Sequence, residues 1–392
     1  MRRCNLIMIG TITVTVLLFG TAGCGRQEKS DVGISSENAQ KMEPAPSSEG
    51  TPESGKAESE SKKNQSAFPS VYKSEKKLVT FDCALEVPNK LLDSSFSVPS
   101  VRKGFYGDTQ KQYDVLVKPH ENEIAETDKN ESLEDGQPDD MFYDLVNGNH
   151  YSTGDGVNFY TSKGLEYGRV LPHDDEGILS HNTFSFGTPD DKIEEIRKLV
   201  DDIGYSSDQY VFYWYSMSSE ERNAMEQQAV KEGRVAAEDI PDQWGQGDDT
   251  YTIYAWQNYE GLDVLPWYMT VNMRAAKMDY STAPLTADFD KDGLQTFQMS
   301  SPIELEKTDK TVDGAQVLSF EKIADAVENR FESMITDQHY KVNKARMVLR
   351  TYNDENQKLS AEVVWHLTVT DNSGNMQILM YDALTGKEIF LT

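Results

Sequence analysis

Apolar residues alternate with polar ones through Val79, Phe81, Cys83, Leu85 and Val87, which predicts a strand over 78–87 ended by Pro88. At Thr188 the period changes. Ile193, Ile196, Leu199, Val200 and Ile203 recur at helical spacing, predicting a helix over 190–203. Thr188 caps it, Pro189 takes the first position, Asp190 and Asp191 sit at the positive end of its dipole, and Gly204 stops it. A dense apolar strand follows over 210–217, and Ser218 with Glu221 makes a capping box for a second helix over 219–232. Tyr251, Ile253 and Ala255 alternate, Gly261 turns the chain, and 264–273 reads as the returning strand. A further hairpin surrounds 288–293. Ser319 opens a helix whose Phe320, Ile323, Val327, Phe331 and Met334 share one face. Strands follow through Ala345, Met347 and Leu349, through Val363, Trp365, Leu367 and Val369, and over 376–381 after the turn Asp371-Asn372-Ser373-Gly374. Residues 89–187 read as short strands in long loops. The mixture of periods predicts an α+β fold, antiparallel sheets with packed helices.

The loop-like stretch 239–249 divides this region into an N-terminal part, 69–245, and a C-terminal part, 250–392. Helix 190–203 leads into Ser207-Asp208-Gln209-Tyr210, and helix 320–335 into Thr336-Asp337-Gln338-His339-Tyr340. Two tandem helix-plus-sheet modules and a chance likeness both fit that parallel.

The first residues have a different character. Arg2 and Arg3 precede an apolar run over 6–19 that is too short to span a bilayer comfortably, and small residues lead to Cys24. This predicts a signal peptide over 1–23. Ala22-Gly23-Cys24 resembles the lipobox of bacterial lipoproteins, with Thr21 where Leu is usual. The resemblance implies a diacylglycerol on the Cys24 thiol and a chain held on the outer face of the cell membrane. Residues 24–68, rich in Ser, Glu, Lys, Gly and Pro, bury too little apolar surface to order themselves and read as a disordered tether. Such a tether reaches about 145 Å fully extended and coils to roughly 35 Å.

Charge narrows the partners. Asp and Glu outnumber Lys and Arg by 66 to 38, a formal charge of −28, which opposes nucleic acid and flat adsorption on an anionic membrane. Cys83 stands alone once Cys4 leaves with the signal and Cys24 is lipidated, so it reads as a small buried hydrophobe. Asp288-x-Asp290-x-Asp292-Gly293 copies the first half of an EF-hand loop, but Met299 replaces the twelfth-position Glu, leaving a β-turn or a weak Ca²⁺ site. No other cofactor is implied. His173-Asp174-Asp175-Glu176 with His181 collects metal-capable ligands at no known spacing. His150 lies in a Gly-Asn loop, and His366 reads as a partly exposed sheet residue. Trp256, Tyr259, Trp267 and Tyr268 are candidate ligand-stacking aromatics, set against a role in packing. Gly-x-Ser-x-Gly and His-Glu-x-x-His are absent.

The closing run Tyr381-Asp382-Ala383-Leu384-Thr385-Gly386-Lys387-Glu388-Ile389 resembles the last strand of PepSY-type modules, one residue short between Tyr and Asp-Ala. The likeness covers about 318–392 and implies one helix followed by antiparallel strands. The whole arrangement also resembles surface lipoproteins of clostridial-type Firmicutes. It shares with them Val87-Pro88, Tyr259-Glu260-Gly261-Leu262-Asp263-Val264, Asp292-Gly293-Leu294 and Ser301-Pro302-Ile303. By analogy these imply a non-catalytic binding or regulatory module for a membrane or cell-wall protein. A binder of wall glycan, peptide or small solute is the alternative, and an uncatalogued hydrolase or metalloenzyme in 89–187 a third reading. The anchor is tested directly. Cys24→Ser is expected to shift the protein from the membrane fraction to the medium, and the wild-type N-terminal peptide to carry the mass of a diacylglyceryl group. A variant that stays with the membrane would overturn the lipid anchor.

Overall fold

The computed structural model describes residues 68–93, 95–103, 109–132, 138–168, 179–237, 240, 243–269, 277–334 and 337–390. The signal peptide, Cys24, the tether to residue 67 and His173 to Glu176 lie outside them.

Strands β1 (Val71–Glu75) and β2 (Val79–Glu86) form a hairpin. Val79, Phe81, Cys83 and Leu85 all point inward, as the alternation requires, and burial, with the Asp82 charge adding, pushes the Cys83 thiol up to about 11. Phe68, expected at the end of the tether, is buried on Trp365 at 6.1 Å between ring centres. Short elements follow: α1 (Asn89–Asp93), β3 (Ser95–Ser97), β4 (Ser100–Lys103) and α2 (Thr109–Gln112). β5 (Ile124–Asn130), β6 (Asp140–Leu145), β7 (His150–Thr153) and β8 (Val157–Tyr160) make an antiparallel meander, closed by the short helix α3 (Ser162–Tyr167). α4 (Pro189–Asp202) and α5 (Ser219–Lys231) both begin with a complete capping box, Thr188 with Asp191 and Ser218 with Glu221, and β9 (Tyr210–Met217) runs between them.

β10 (Thr250–Tyr259) turns through Glu260 and Gly261, both at positive φ, into β11 (Leu262–Leu265). The strand expected over 264–273 stops there because Pro266 has no amide hydrogen for a ladder, and a 3-10 turn over Trp267–Met269 replaces it. β12 (Leu285–Asp290) and β13 (Gly293–Met299) form the hairpin over 288–293, with Gly293 at φ +110°. β14 (Ile303–Glu306) pairs with β4 and β15 (Thr311–Asp313) with β3. Helix α6 (Phe320–Glu332) leads into β16 (Tyr340–Asn353), β17 (Leu359–Asp371), β18 (Met376–Asp382) and the short β19 (Glu388–Ile389). Met334, expected on the face of α6, lies past its end and is exposed. The turn before β19 is held by Asp382, whose carboxylate accepts from the Leu384 and Thr385 amides. Gly386 completes it at φ +69°, where a Cβ would press on Leu318.

The fold is α+β. Among the described residues, fifteen strands join in one sheet, in the order β19-β18-β17-β16-β11-β10-β12-β13-β8-β7-β6-β5, with β9 added at β10 and β2, carrying β1, added at β16. Antiparallel pairing dominates, but β16 takes two parallel neighbours end to end: β2 along Tyr340 to Arg346 and β11 along Val348 to Arg350. The parts expected on either side of 245–250 therefore exchange strands. β1 and β2 join the core built on α6, β16 and β17, while β12 and β13 join the core built on α4, β10 and β8. All described residues belong to one compact unit.

Each core follows from an amphipathic helix. Ile196, Val200 and Ile203 of the α4 region pack on Tyr251, Ile253 and Ala255 of β10. Phe320, Ile323, Val327 and Phe331 of α6 are fully buried over β2, β16 and β17, each contributing about 1.5–3 kcal/mol of hydrophobic stabilisation. β17 is covered on both faces, so Val363, Val364, Trp365, His366 and Leu367 are all buried. That corrects the expectation of a partly exposed His366, which is 1% accessible.

Gln257 ties the cores together. Its buried amide donates to the Ile303 carbonyl at 2.7 Å and accepts from the Ile303 amide at 2.9 Å, satisfying the free edge of β14. Gln257→Met keeps the volume and strips both partners from a buried peptide. It is expected to lower unfolding free energy by about 2–4 kcal/mol in urea titration. A loss under about 0.5 kcal/mol would show that the clamp does not hold the junction.

Candidate functional site

The acidic triplet of the β12–β13 hairpin does not converge. Asp288 accepts from the Thr252 and Thr296 hydroxyls at 2.5 and 2.6 Å. Asp290 is buried, and four donors surround it: Lys163 Nζ at 2.7 Å, the Tyr167 hydroxyl at 2.8 Å, the Asp292 amide at 2.7 Å and Gln295 Nε2 at 3.0 Å. Asp292 is exposed and pairs with Lys291. Calcium asks for roughly six to eight oxygens around one point. Here each carboxylate has its own protein donors, and among the described residues no three His, Cys, Asp or Glu side chains gather as a cage.

What Asp290 builds is a largely buried ionic cluster. Lys163 also reaches Asp248 at 2.8 Å. Burial works against its ammonium, but the bonds to Asp248 and Asp290 outweigh it and hold the Lys163 pKa well above the usual value. Burial raises the Tyr167 phenol, and the Asp290 charge adds to that. Gly164 permits the approach, because a Cβ there would collide with the Gln295 carbonyl. Arg222 of α5, packed on the Tyr167 ring at 4.4 Å and on the Trp244 side at 5.3 Å, donates to the Tyr167 carbonyl and the Thr250 hydroxyl. The cluster therefore joins α3, α5, β10 and the β12–β13 turn.

The four candidate aromatics divide between two cores. Trp256 is buried with Leu265, Met269, Val348 and Val364, and Tyr268 packs against that group. Tyr259 packs edge-on to Phe96 at 5.8 Å, on the α6 side. Trp267 lies under the Lys103 ammonium at 4.5 Å and meets Tyr268 edge to face at 6.0 Å. These side chains form no shared platform. The hydroxyls of Tyr259 and Tyr268 are buried and meet no partner among the described residues.

The aromatic surface lies on β9 instead. Its sequence, Tyr-Val-Phe-Tyr-Trp-Tyr-Ser-Met, leaves Val211 and Tyr213 exposed, and the Tyr213 ring stacks on Tyr254 at 5.3 Å. One side of β9 pairs with β10 along its whole length. On the other side, the Ser216 amide donates to the Ser180 carbonyl at 2.8 Å. Alternation places the amides and carbonyls of Trp214 and Phe212 on that same outer side, where they meet no partner among the described residues. Arg197 caps the Phe212 ring at 4.6 Å.

A cleft of about 440 Å³ opens at the start of β9, between the two cores. Tyr210, Gln257, Pro302 and Ile303 form its buried floor, and the 204–206 turn with Gln209 forms one wall. The other wall is β14 with Arg102, whose guanidinium reaches Glu304 at 2.8 Å and Glu306 at 2.6 Å. Burial raises the Tyr210 phenol well above its usual range. No sequence motif marks this site, since its residues come from four distant stretches. The nearest signals were the helix stop at Gly204 and the Ser-Pro-Ile strand.

Two histidines singled out in the sequence are placed simply. His150 pairs with Asp144 at 2.7 Å and stacks on Tyr160 at 4.6 Å, and the His181 ring meets Trp214 at 4.8 Å.

No family model matches the chain, and no curated protein matches it. Among solved structures, it is similar to an uncharacterised protein from Eubacterium rectale ATCC 33656 at 14% identity and a TM-score of 0.57. The match covers 83% of this chain and 94% of that one, and at that identity it is a likeness of fold.

Proposed function

We propose that the protein is a lipid-anchored, extracytoplasmic binding module, non-catalytic, that captures an extended segment of a protein partner along the outer edge of β9. The observation that carries this reading is that, among the described residues, the outward backbone groups of Phe212 and Trp214 are unpaired, beside the exposed side chains of Val211 and Tyr213. Sheet edges normally carry Lys, Pro or a bulge to discourage pairing, and β9 has none. An edge of this kind gives affinity through main-chain hydrogen bonds and selectivity through alternate side chains. The −28 charge of the chain favours a basic partner segment. The engagement of Asp288, Asp290 and Lys163 with protein partners supports a structural reading of the groups that would otherwise suggest chemistry. The Cys24 anchor and the tether would hold this edge near the outer membrane face.

A photoreactive residue at position 211 of the full-length protein, in its own membrane, tests the edge. The expected outcome is a discrete adduct whose cross-linked segment, made as a peptide, binds the purified protein and protects the Phe212 and Trp214 amides from hydrogen exchange. Phe212→Pro removes an outward amide and leaves the β10 ladder intact, so it should abolish binding, while Phe212→Ala keeps the amide and should retain it. No adduct, or a peptide that binds the proline variant equally well, would overturn the proposal.

A further inference from the structure

We infer that the cleft between the two cores is a binding site for a neutral glycan of one or two sugar units, independent of any partner at the β9 edge. The volume of about 440 Å³ lies in the range of small-molecule sites, roughly 300–1,000 Å³. Its chemistry has two layers. The floor is the buried Tyr210 with Pro302 and Ile303, a surface for the C–H face of a pyranose. The Gln257 amide, also in the floor, is committed to Ile303 and fixes the shape instead of binding. The rim carries planar, two-pronged side chains: Gln209 on one wall and Arg102, Glu304 and Glu306 on the other. Each of these groups can span the two oxygens of a vicinal diol: the amide donates one hydrogen bond and accepts one, the guanidinium donates two, and a carboxylate accepts two. The Gln209 amide donates to the Ser206 carbonyl at 3.1 Å, while the two side chains are exposed at the mouth and make no hydrogen bond among the described residues.

Charge selects among ligands. One guanidinium faces two carboxylates, so the rim is net negative within a strongly acidic protein, which disfavours phosphorylated or uronic ligands. Arg102 Nη2 already bonds both Glu304 and Glu306, so a neutral polyol can join these hydrogen bonds without parting an ion pair.

The test uses the full chain with maltose, cellobiose and N,N′-diacetylchitobiose as probes. Glucuronic acid and a lysine-containing tripeptide serve as contrasts. Binding is read by saturation-transfer NMR and calorimetry. At least one neutral disaccharide is expected to bind, with affinity about tenfold weaker in Gln209→Ala and abolished in Ser206→Trp, which fills the mouth. Both positions are exposed, and an unchanged circular dichroism spectrum separates a blocked site from an unfolded one. Neutral-sugar binding that survives Ser206→Trp, binding of the tripeptide or glucuronate alone, or no binding at all would overturn the inference. None of these outcomes bears on the cross-linking at position 211, so the two sites stand or fall separately.

Discussion

The structure depends on the register of one strand. β10 is held on both sides, by β9 over Thr250 to Gln257 and by β12 over Tyr251 to Ala255, and its last two residues then pass to β11. β11 in turn lies parallel on β16. A slip of one residue along β10 would turn Tyr251, Ile253 and Ala255 out of the α4 core and Trp256 out of the core behind β16. It would also take Gln257 away from Ile303, and with it the floor of the cleft. The tight turn at Glu260 and Gly261 guards this register. Glu260 takes φ +51° although it is not glycine, and its carboxylate is held by Lys90 at 2.5 Å.

Charge is handled in two ways. Most of the described acidic side chains stay in water, where they cost little in contacts. Among the described residues Glu226, Asp279, Asp290 and Glu328 are buried, and Asp290 lies deepest, beneath Lys163 and three neutral donors. A buried pair of this kind adds little net stability over an apolar replacement, while removing one partner is costly. Its worth is directional: Asp290 accepts bonds from α3, from its own turn and from β13, so it fixes the angle at which the β12–β13 hairpin meets the helix. Asp290, the middle acid of the calcium-loop-like sequence, acts as a corner brace.

Local elements were legible where the signal is local. Both capping boxes, the inward face of α4 and the two-residue turn before Gly293 follow from neighbours in sequence, and the structure has all of them. Partner choice was not legible. Period-two alternation says that β2 is a strand, but nothing in it says that β2 lies parallel to β16, some 250 residues later, instead of staying with the N-terminal strands. Pro266 could have shortened the strand expected over 264–273, and the unbroken run from Val363 to Leu367 could have signalled burial on both faces, which would have placed His366 inside. The aromatic candidates do not meet in one place for a related reason: Trp256 and Tyr259 lie three residues apart on a strand, so they face opposite sides of the sheet. The cleft was beyond reach, because residues 102, 204–210, 257 and 302–306 meet only after the two cores have formed.

Tyr210 connects the two surfaces that this fold leaves open. It is the first residue of β9 and part of the floor of the cleft, paired in register with Gln257. An occupant that displaces the Tyr210 ring acts on the strand two residues before Phe212, and a strand added at Phe212 acts back on the floor. Linkage makes any such effect equal in both directions. Its size is bounded by how far Tyr210 can move, and the Gln257 clamp and the Ile203 packing at the end of α4 restrict that. A floor held this firmly keeps the two proposed sites independent, and that independence rests on a single buried phenol between two cores.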